Sequence, residues 1–173
     1  MGDICELILE QHHEMRRRFA ELDDHLATAQ PDEQALARSW EALHRLLEAH
    51  AEAEELLFYP LLLRSVDDAE TADETRDAIS DHNKIRAAGA ATAGYAPATA
   101  QWWSVVLQAR EHNSTHMAEE ERGVLCTART SADPKTRVEA GSKWEAFMAG
   151  RLGELAAASH DKDPETYVAV QTG

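Results

Sequence analysis

The chain is poor in residues that break helices or cross-link small domains. Its 173 residues include 8 glycines, 5 prolines and 2 cysteines, and β-branched residues are few. The two cysteines, Cys5 and Cys126, are far apart and lack the Cys-x-x-Cys spacing, which excludes a disulfide framework and a zinc-finger signature. The dominance of alanine, leucine, glutamate and arginine instead predicts an all-α protein with one sizeable core.

Long apolar runs and an excess of positive charge are also missing. No stretch of about 18 apolar residues occurs, so no transmembrane helix is expected. No basic or long apolar segment follows the first three residues, so no secretory signal is expected. The chain has 17 basic and 32 acidic residues, a net charge of −15. Because this charge repels nucleic acid and anionic membranes, we expect the protein to bind neither. With neither a signal peptide nor a transmembrane helix expected, the expected location is the cytoplasm.

Apolar residues recur at steps of three and four, a period typical of amphipathic helices. The period predicts four long helices. The first lies at about 3–28, and the second runs from residue 31 to a kink or end near Pro60. The third follows a connection at 65–72, and the fourth lies at about 98–127. A turn at 130–134 is expected to lead into a fifth helix that ends near residue 159.

Four long helices with short connections predict an up-down-up-down antiparallel four-helix bundle over residues 1–129. The additional C-terminal helix, in residues 130–160, is expected to pack on this bundle. Residues 161–173 are expected to form a loosely held polar tail, although Tyr167 and Val168 could dock. The pattern leaves the oligomeric state open.

Two His-x-x-x-Glu pairs, His50 with Glu54 and His116 with Glu120, lie on the apolar faces of two predicted helices. Four residues advance an α-helix by about 400°, so both members of a pair face the same way, one turn apart. Each pair is preceded by another inward histidine on the previous helix. The expected metal ligands are therefore His12, His50, Glu54, His82, His116 and Glu120.

A buried carboxylate makes the metal interpretation stronger than histidines alone would. A single histidine on an apolar stripe is usually an ordinary core residue. Burying an unpaired carboxylate costs several kcal/mol, however, so Glu54 and Glu120 each need a partner or a metal ion. Mixed imidazole and carboxylate ligands suit iron, manganese or zinc. Two carboxylates shared among about five histidines are enough for two ions.

Helical phase separates the expected ligands from their neighbours. His12 is in phase with apolar residues, whereas His13 follows a more polar line, so His12 is the expected ligand. Glu55 and Glu121 are expected to be solvated or to support the ligands. His112 lies one turn before the second pair and is an additional ligand candidate.

These residues resemble the hemerythrin-like (HHE cation-binding) proteins of the bacterial branch. The resemblance rests on the two His-x-x-x-Glu pairs with their upstream histidines, and on residues 54–60 and 81–85. It covers about residues 3–127. It implies a four-helix bundle holding two iron ions with an oxo or hydroxo bridge, with bridging carboxylates from Glu54 and Glu120.

The resemblance implies chemistry with a small oxidant, namely hydrogen peroxide, oxygen or nitric oxide. Peroxide disproportionation, a catalase-like activity, is the sharpest version. The alternatives are an oxygen or nitric oxide sensor or carrier, and an iron-handling protein without turnover. Whether the protein is an enzyme stays open at this point, as does the metal it holds in the cell.

Two departures from the oxygen-carrying hemerythrins disfavour reversible oxygen carriage. Those proteins have a second histidine one turn after the third-helix ligand, where this chain has Arg86. Their fourth-helix carboxylate is an Asp at a five-residue step, whereas Glu120 follows His116 at a four-residue step. The missing ligand could come from His112, from a tyrosine (Tyr59, Tyr95 or Tyr167) or from solvent.

Overall fold

The computed structural model describes residues 2–26, 32–153 and 160–172. Residues 27–31 and 154–159 lie outside this part, and with them the predicted end of the first helix, start of the second and end of the fifth. The described residues form α1 (Ile4–Leu26), α2 (Glu33–Ala53), α3 (Tyr59–Ser65), α4 (Ala69–Ala91), α5 (Ala100–Arg122), α6 (Val124–Ser131), α7 (Pro134–Gly153) and α8 (Pro164–Thr172).

Short polar side chains set where three of the long helices begin. Asp32 accepts hydrogen bonds from two backbone N–H groups in the first turn of α2, both at 3.0 Å. Asp68 accepts from the N–H of Thr71 at the start of α4, and Thr99 caps α5 in the same way. These bonds satisfy N–H groups that have no partner within the helix.

Helices α1, α2, α4 and α5 form the predicted all-α four-helix bundle, which is confirmed. Their apolar faces meet in one core. Helix α7 packs against α1 and α2, and helix α8 packs against α4 and α3. In the part of the chain that the structure describes, no helix is long and apolar enough to cross a membrane.

Pro60 does not end the second long helix. Instead, residues Glu54–Phe58 form a π-helical turn, and the chain continues directly as α3. The N–H of Tyr59 bonds to the carbonyl of Glu54, five residues back. Pro60 then occupies the first turn of α3, where its missing N–H is tolerated. The wide turn lies directly beside the candidate metal ligands, as such turns often do.

The fourth long helix is broken at Gly123, whereas the sequence predicted one helix to residue 127. Helix α5 ends at Arg122 and α6 begins at Val124. Gly123 itself has a non-helical backbone conformation, with φ −106° and ψ −100°. A Cβ atom there would lie 3.2 Å from the backbone oxygen of Glu119 and 2.5 Å from Oε1 of Glu74, the end of a flexible side chain.

The last residues, expected to be a loose tail, form helix α8. Tyr167 and Val168 are buried, and the Tyr167 hydroxyl donates a hydrogen bond of 2.6 Å to the backbone carbonyl of Glu55. These are the two side chains that the sequence indicated could dock, and they give the segment an apolar anchor. Helix α8 thereby lies directly behind the π-helical turn.

Candidate metal centre

Six side chains from four helices meet inside the bundle. Each of them is at most 3% exposed. Helix α1 supplies one histidine, α4 another, and α2 with its π-helical turn and α5 supply one His-x-x-x-Glu pair each. The six residues are His12, His50, Glu54, His82, His116 and Glu120. All six are among the ligands proposed from the sequence.

Glu54 divides the histidines into two groups. Its Oε1 lies 2.8 Å from Nε2 of His50 and 4.0 Å from Nε2 of His12. Its Oε2 lies 3.1 Å from Nε2 of His82 and 3.7 Å from Nε2 of His116. Each oxygen therefore faces its own pair of imidazoles, an arrangement that suits a carboxylate shared between two cations.

Glu120 lies between the two groups of histidines. Its Oε2 lies 3.3 Å from Nε2 of His12 and 3.4 Å from Nε2 of His116, one histidine from each side. Its Oε1 accepts a hydrogen bond of 2.6 Å from the hydroxyl of Tyr59, which is fully buried. A second carboxylate thus lies across the same gap, held by a tyrosine.

Three of the histidines are fixed from behind through their Nδ1 atoms. The Nδ1 atoms of His12 and His50 lie within hydrogen-bond distance of Glu121 and Gln11, at 2.9 and 2.8 Å. His82 has Glu55 as its partner at 2.8 Å. These partners orient the rings so that Nε2 points into the centre, which is the usual arrangement of metal-binding histidines.

Several atoms in the centre have no hydrogen-bond partner among the described residues. Buried atoms without one include Nε2 of His12 and His50, Oε1 of Glu54 and Oε2 of Glu120. The 2.8 Å separation between His50 and Glu54 has poor hydrogen-bond geometry and does not satisfy either atom. Orphaned buried polar atoms are costly, so their convergence fits a cation that they would all contact.

The spacing of these atoms fits two cations. Nitrogen and oxygen atoms of His12, His50, Glu54 and Glu120 lie within 4.8 Å of one another, as do those of Glu54, His82 and His116. Glu54 belongs to both groups. Ligand atoms around one transition-metal ion at about 2.0–2.2 Å are separated by comparable distances. The donor set therefore fits a pair of imidazole- and carboxylate-bound metal ions.

The protonation of the centre depends on these contacts. Burial alone would raise the pKa of Glu54, but the charge of His50 and hydrogen bonds with nearby histidines hold it well below its ordinary value. Burial lowers the pKa of His50. For His82, burial is outweighed by hydrogen bonds to Glu54 and Glu55, which raise its pKa to about 9. A metal ion that binds here therefore displaces protons.

His112 is not among the converging side chains. The inward positions of α5 are Val106 and Asn113, where the sequence predicted Val105 and His112. With Met117 set aside, the buried positions from Trp102 to Glu120 run at steps of four, three, four, three and four. The predicted stripe took steps of three where the structure takes four, and so missed the inward position by one residue at Val105 and at His112. His112 is half-buried, and Asn113 takes the place beside the core.

Tyr59 lies beside the centre although helical phase counted against it. On a regular helix it would point well away from Glu54, five residues earlier. In the π-helical turn the hydrogen bonds span five residues instead of four, so each residue advances through a smaller angle. Tyr59 therefore returns to the side of Glu54 and reaches Glu120. The sequence signal was Pro60, which needs a disturbed hydrogen-bond pattern just before it.

A cavity of about 320 Å³ between α4 and α5 reaches the centre from the surface. His116 and Glu120 form part of its buried wall. Asp77, Glu119 and Arg122 are exposed residues of its outer wall. The acidic side chains outnumber the basic one, so the cavity attracts cations and disfavours anions.

Comparison with known proteins places this centre in a family. The model of the Hemerythrin HHE cation binding domain matches residues 3–128. Searches of curated proteins and of solved structures each returned no match. The matched range contains all six converging side chains and Tyr59, and it ends before α7 and α8.

Proposed function

The chain belongs to the hemerythrin HHE cation-binding family, and from this membership we propose that it holds two iron ions that react with a small oxidant. Proteins with this domain bind metal ions, typically iron. The observation that carries the proposal is the position of Glu54, whose two oxygens each face a separate pair of imidazoles. Hydrogen peroxide is the preferred oxidant, with oxygen or nitric oxide as the alternatives.

We assign the ligands from the two groups of side chains. His12 and His50 would hold one ion, and His82 and His116 the other. Glu54 would span both, and Glu120 would lie across the same gap because its Oε2 is about equally far from a histidine of each group. Tyr59 is the better candidate for the remaining position, because its hydroxyl bonds to Glu120, whereas His112 is not among the converging side chains.

The ligand set supports two-electron chemistry on a small molecule. Two bound iron ions would together supply or accept the two electrons that separate peroxide from water or from oxygen. In disproportionation, one peroxide is reduced to two waters while a second is oxidised to oxygen, so no further reductant is needed. The hydroxyl of Tyr59 is placed to donate a hydrogen bond or proton beside Glu120.

The surroundings favour small uncharged reactants. The core excludes bulk water from the centre, because the apolar faces of four helices surround it. The cavity at His116 and Glu120 has mostly acidic walls, which disfavour anions and admit neutral molecules such as peroxide, oxygen and nitric oxide. Arg86 cannot ligate a metal, and it bonds to Glu55 at 2.7 Å instead. This pairing speaks against the ligand set of an oxygen carrier.

Oxygen release from peroxide tests the proposed reaction. The iron-loaded protein and its Glu54→Gln variant are compared with an oxygen electrode, and free iron in the same buffer sets the background. We expect turnover in the wild-type protein and loss of it in Glu54→Gln. Glu52→Gln is the matched control, since Glu52 lies on the same helix but bonds outward to Arg151 at 2.6 Å.

The other outcomes separate the alternatives. A reversible spectral change with oxygen or nitric oxide, without peroxide turnover, would indicate a sensor or carrier. Iron that leaves under mild chelation while the protein stays folded would indicate iron handling. Peroxide turnover no faster than with free iron in a protein carrying two irons would contradict the catalase-like reaction.

A further inference from the structure

Behind His82 lies a buried charge network that the metal ligands do not include. Its centre is Glu55, which is 1% exposed. Oε1 of Glu55 is 2.8 Å from Nδ1 of His82 and accepts a hydrogen bond of 2.7 Å from Arg86. Its Oε2 accepts a hydrogen bond from the ammonium group of Lys162. One carboxylate is thus paired with two permanent cations and with the imidazole.

The C-terminal segment that carries Lys162 is fixed at this place by several bonds. Asn83 and Lys162 exchange two hydrogen bonds, from the Asn83 amide to the Lys162 carbonyl at 2.7 Å and from the Lys162 N–H back to Asn83 at 3.2 Å. Tyr167 bonds to the backbone carbonyl of Glu55. Residues 160–172 lie outside the range that the family model matches, so the bonds from Lys162 and Tyr167 to Glu55 come from a segment that the family model does not cover.

Two positive charges, those of Arg86 and Lys162, contact Glu55. Arg86 also lies 3.9 Å from Glu48, so the two cations face two carboxylates, and Lys162 is the cation that Arg86's second contact leaves paired with Glu55. Lys162 is 32% exposed, so water screens part of its charge, while Glu55 itself is buried. Both cations also draw on the lone pairs of Glu55, which makes it a weaker acceptor for the N–H of His82. A less electron-rich imidazole and a nearby positive charge each favour the reduced, less positive state of a metal ion.

We propose that Lys162, carried by the C-terminal segment, is a positioning residue that acts through Glu55 on His82 and raises the reduction potential of the metal centre. The inference rests on the proposed iron pair. The segment at residues 160–172 is then part of the metal site's support. Its loss would change the potential of the centre without removing any ligand.

A redox titration of the iron-loaded, full-length protein tests this role. Lys162→Met should lower the reduction potential, because it removes a positive charge and strengthens the hydrogen bond that His82 donates to Glu55. Lys162→Arg should restore a value close to that of the wild-type protein. Glu55→Gln should raise the potential, because a neutral amide replaces the carboxylate. The opposite signs matter, since a purely structural role would move both variants the same way.

Controls make each outcome decisive. Lys135→Met removes the same charge from an exposed position on α7, where Lys135 is 84% exposed, and should leave the potential unchanged. Iron content and the melting temperature of the metal-free protein verify that each variant is folded and loaded. An unchanged potential in fully loaded Lys162→Met, or shifts of the same sign in Lys162→Met and Glu55→Gln, would overturn the inference alone. A wild-type protein that binds no iron would overturn the proposed function itself.

Discussion

A single methyl group added at Gly141 should push α7 away from the residues that begin α1. A Cβ atom there would lie 2.0 Å from the backbone oxygen of Gly2 and 3.2 Å from the backbone nitrogen of Ile4. Ordinary contact begins at 3.4 Å, so the two backbones would have to part by roughly 1.4 Å. No rotamer change relieves this clash, because the atoms met belong to the main chain.

The expected loss follows from two opposing effects. Overpacking of this kind costs about 1–3 kcal/mol, and a clash with main-chain atoms, which no rotamer change relieves, places Gly141→Ala toward the upper end. The better helix propensity of alanine offsets up to about 1 kcal/mol. A net loss of about 2 kcal/mol should lower the melting temperature by about 4–8 °C in a protein of this size.

Gly150→Ala is the matched control on the same helix. Among the residues that the structure describes, nothing lies within 4 Å of a Cβ atom at Gly150, so only the propensity gain remains. Its melting temperature should rise by about 2–4 °C. The assay is thermal unfolding of both variants by circular dichroism. If Gly141→Ala is as stable as Gly150→Ala, then α7 does not approach the first residues of the chain as closely as described.

Three further predictions concern the centre and its surroundings. His12→Ala should bind less than half the iron of the wild-type protein, whereas His13→Ala should bind the normal amount, since His12 is fully buried and His13 is exposed. Metal analysis of the two variants distinguishes them, and the reverse result would refute the assigned helical phase. Glu74 and Asp77 line the cavity between α4 and α5, so the double variant Glu74→Gln, Asp77→Asn should take up ferrous iron several-fold more slowly at low salt, with the same final iron content. Stopped-flow absorbance of the metal-free protein measures the rate, and equal rates would exclude this cavity as the route. Burial raises the pKa of Cys5 to about 12, so at pH 8 iodoacetamide should label only the exposed Cys126. Mass spectrometry of the intact protein counts the labels, and labelling of both cysteines would contradict the burial of Cys5.

The helices and the converging side chains could be predicted because they follow one physical rule. A residue that lies three or four positions from apolar residues along a helix faces the core with them, and a carboxylate at such a position needs a partner. Glu54 and Glu120 satisfied both conditions, each one turn after a histidine. Their buried positions in the structure agree with that reasoning.

Residues whose position depends on departures from regular helix could not be placed in the same way. Tyr59 reaches Glu120 only because the π-helical turn changes the angle between it and Glu54. His112 fell one step out of phase because two successions of threes and fours fit the sequence equally well. Only the packing of α5 selects Asn113 for the inward position.

Contacts between distant parts of the chain were also beyond the reach of periodicity. Glu55 was expected to be solvated or to support a ligand, and nothing local distinguished the two. Lys162 lies more than a hundred residues away and gives no sign in the sequence of its bond to Glu55. Lys162 reaches Glu55 from the C-terminal segment, which Tyr167 anchors to the Glu55 backbone where α8 packs against α3 and α4.

The iron content per chain tests the central claim most directly. Metal-free protein is loaded anaerobically with ferrous iron, freed of excess iron, and analysed for iron and protein together. The position of Glu54 between two pairs of histidines predicts two irons per wild-type chain and at most one per Glu54→Gln chain. A wild-type protein that retains one iron or none, or a Glu54→Gln protein that still retains two, would contradict a metal pair shared by Glu54.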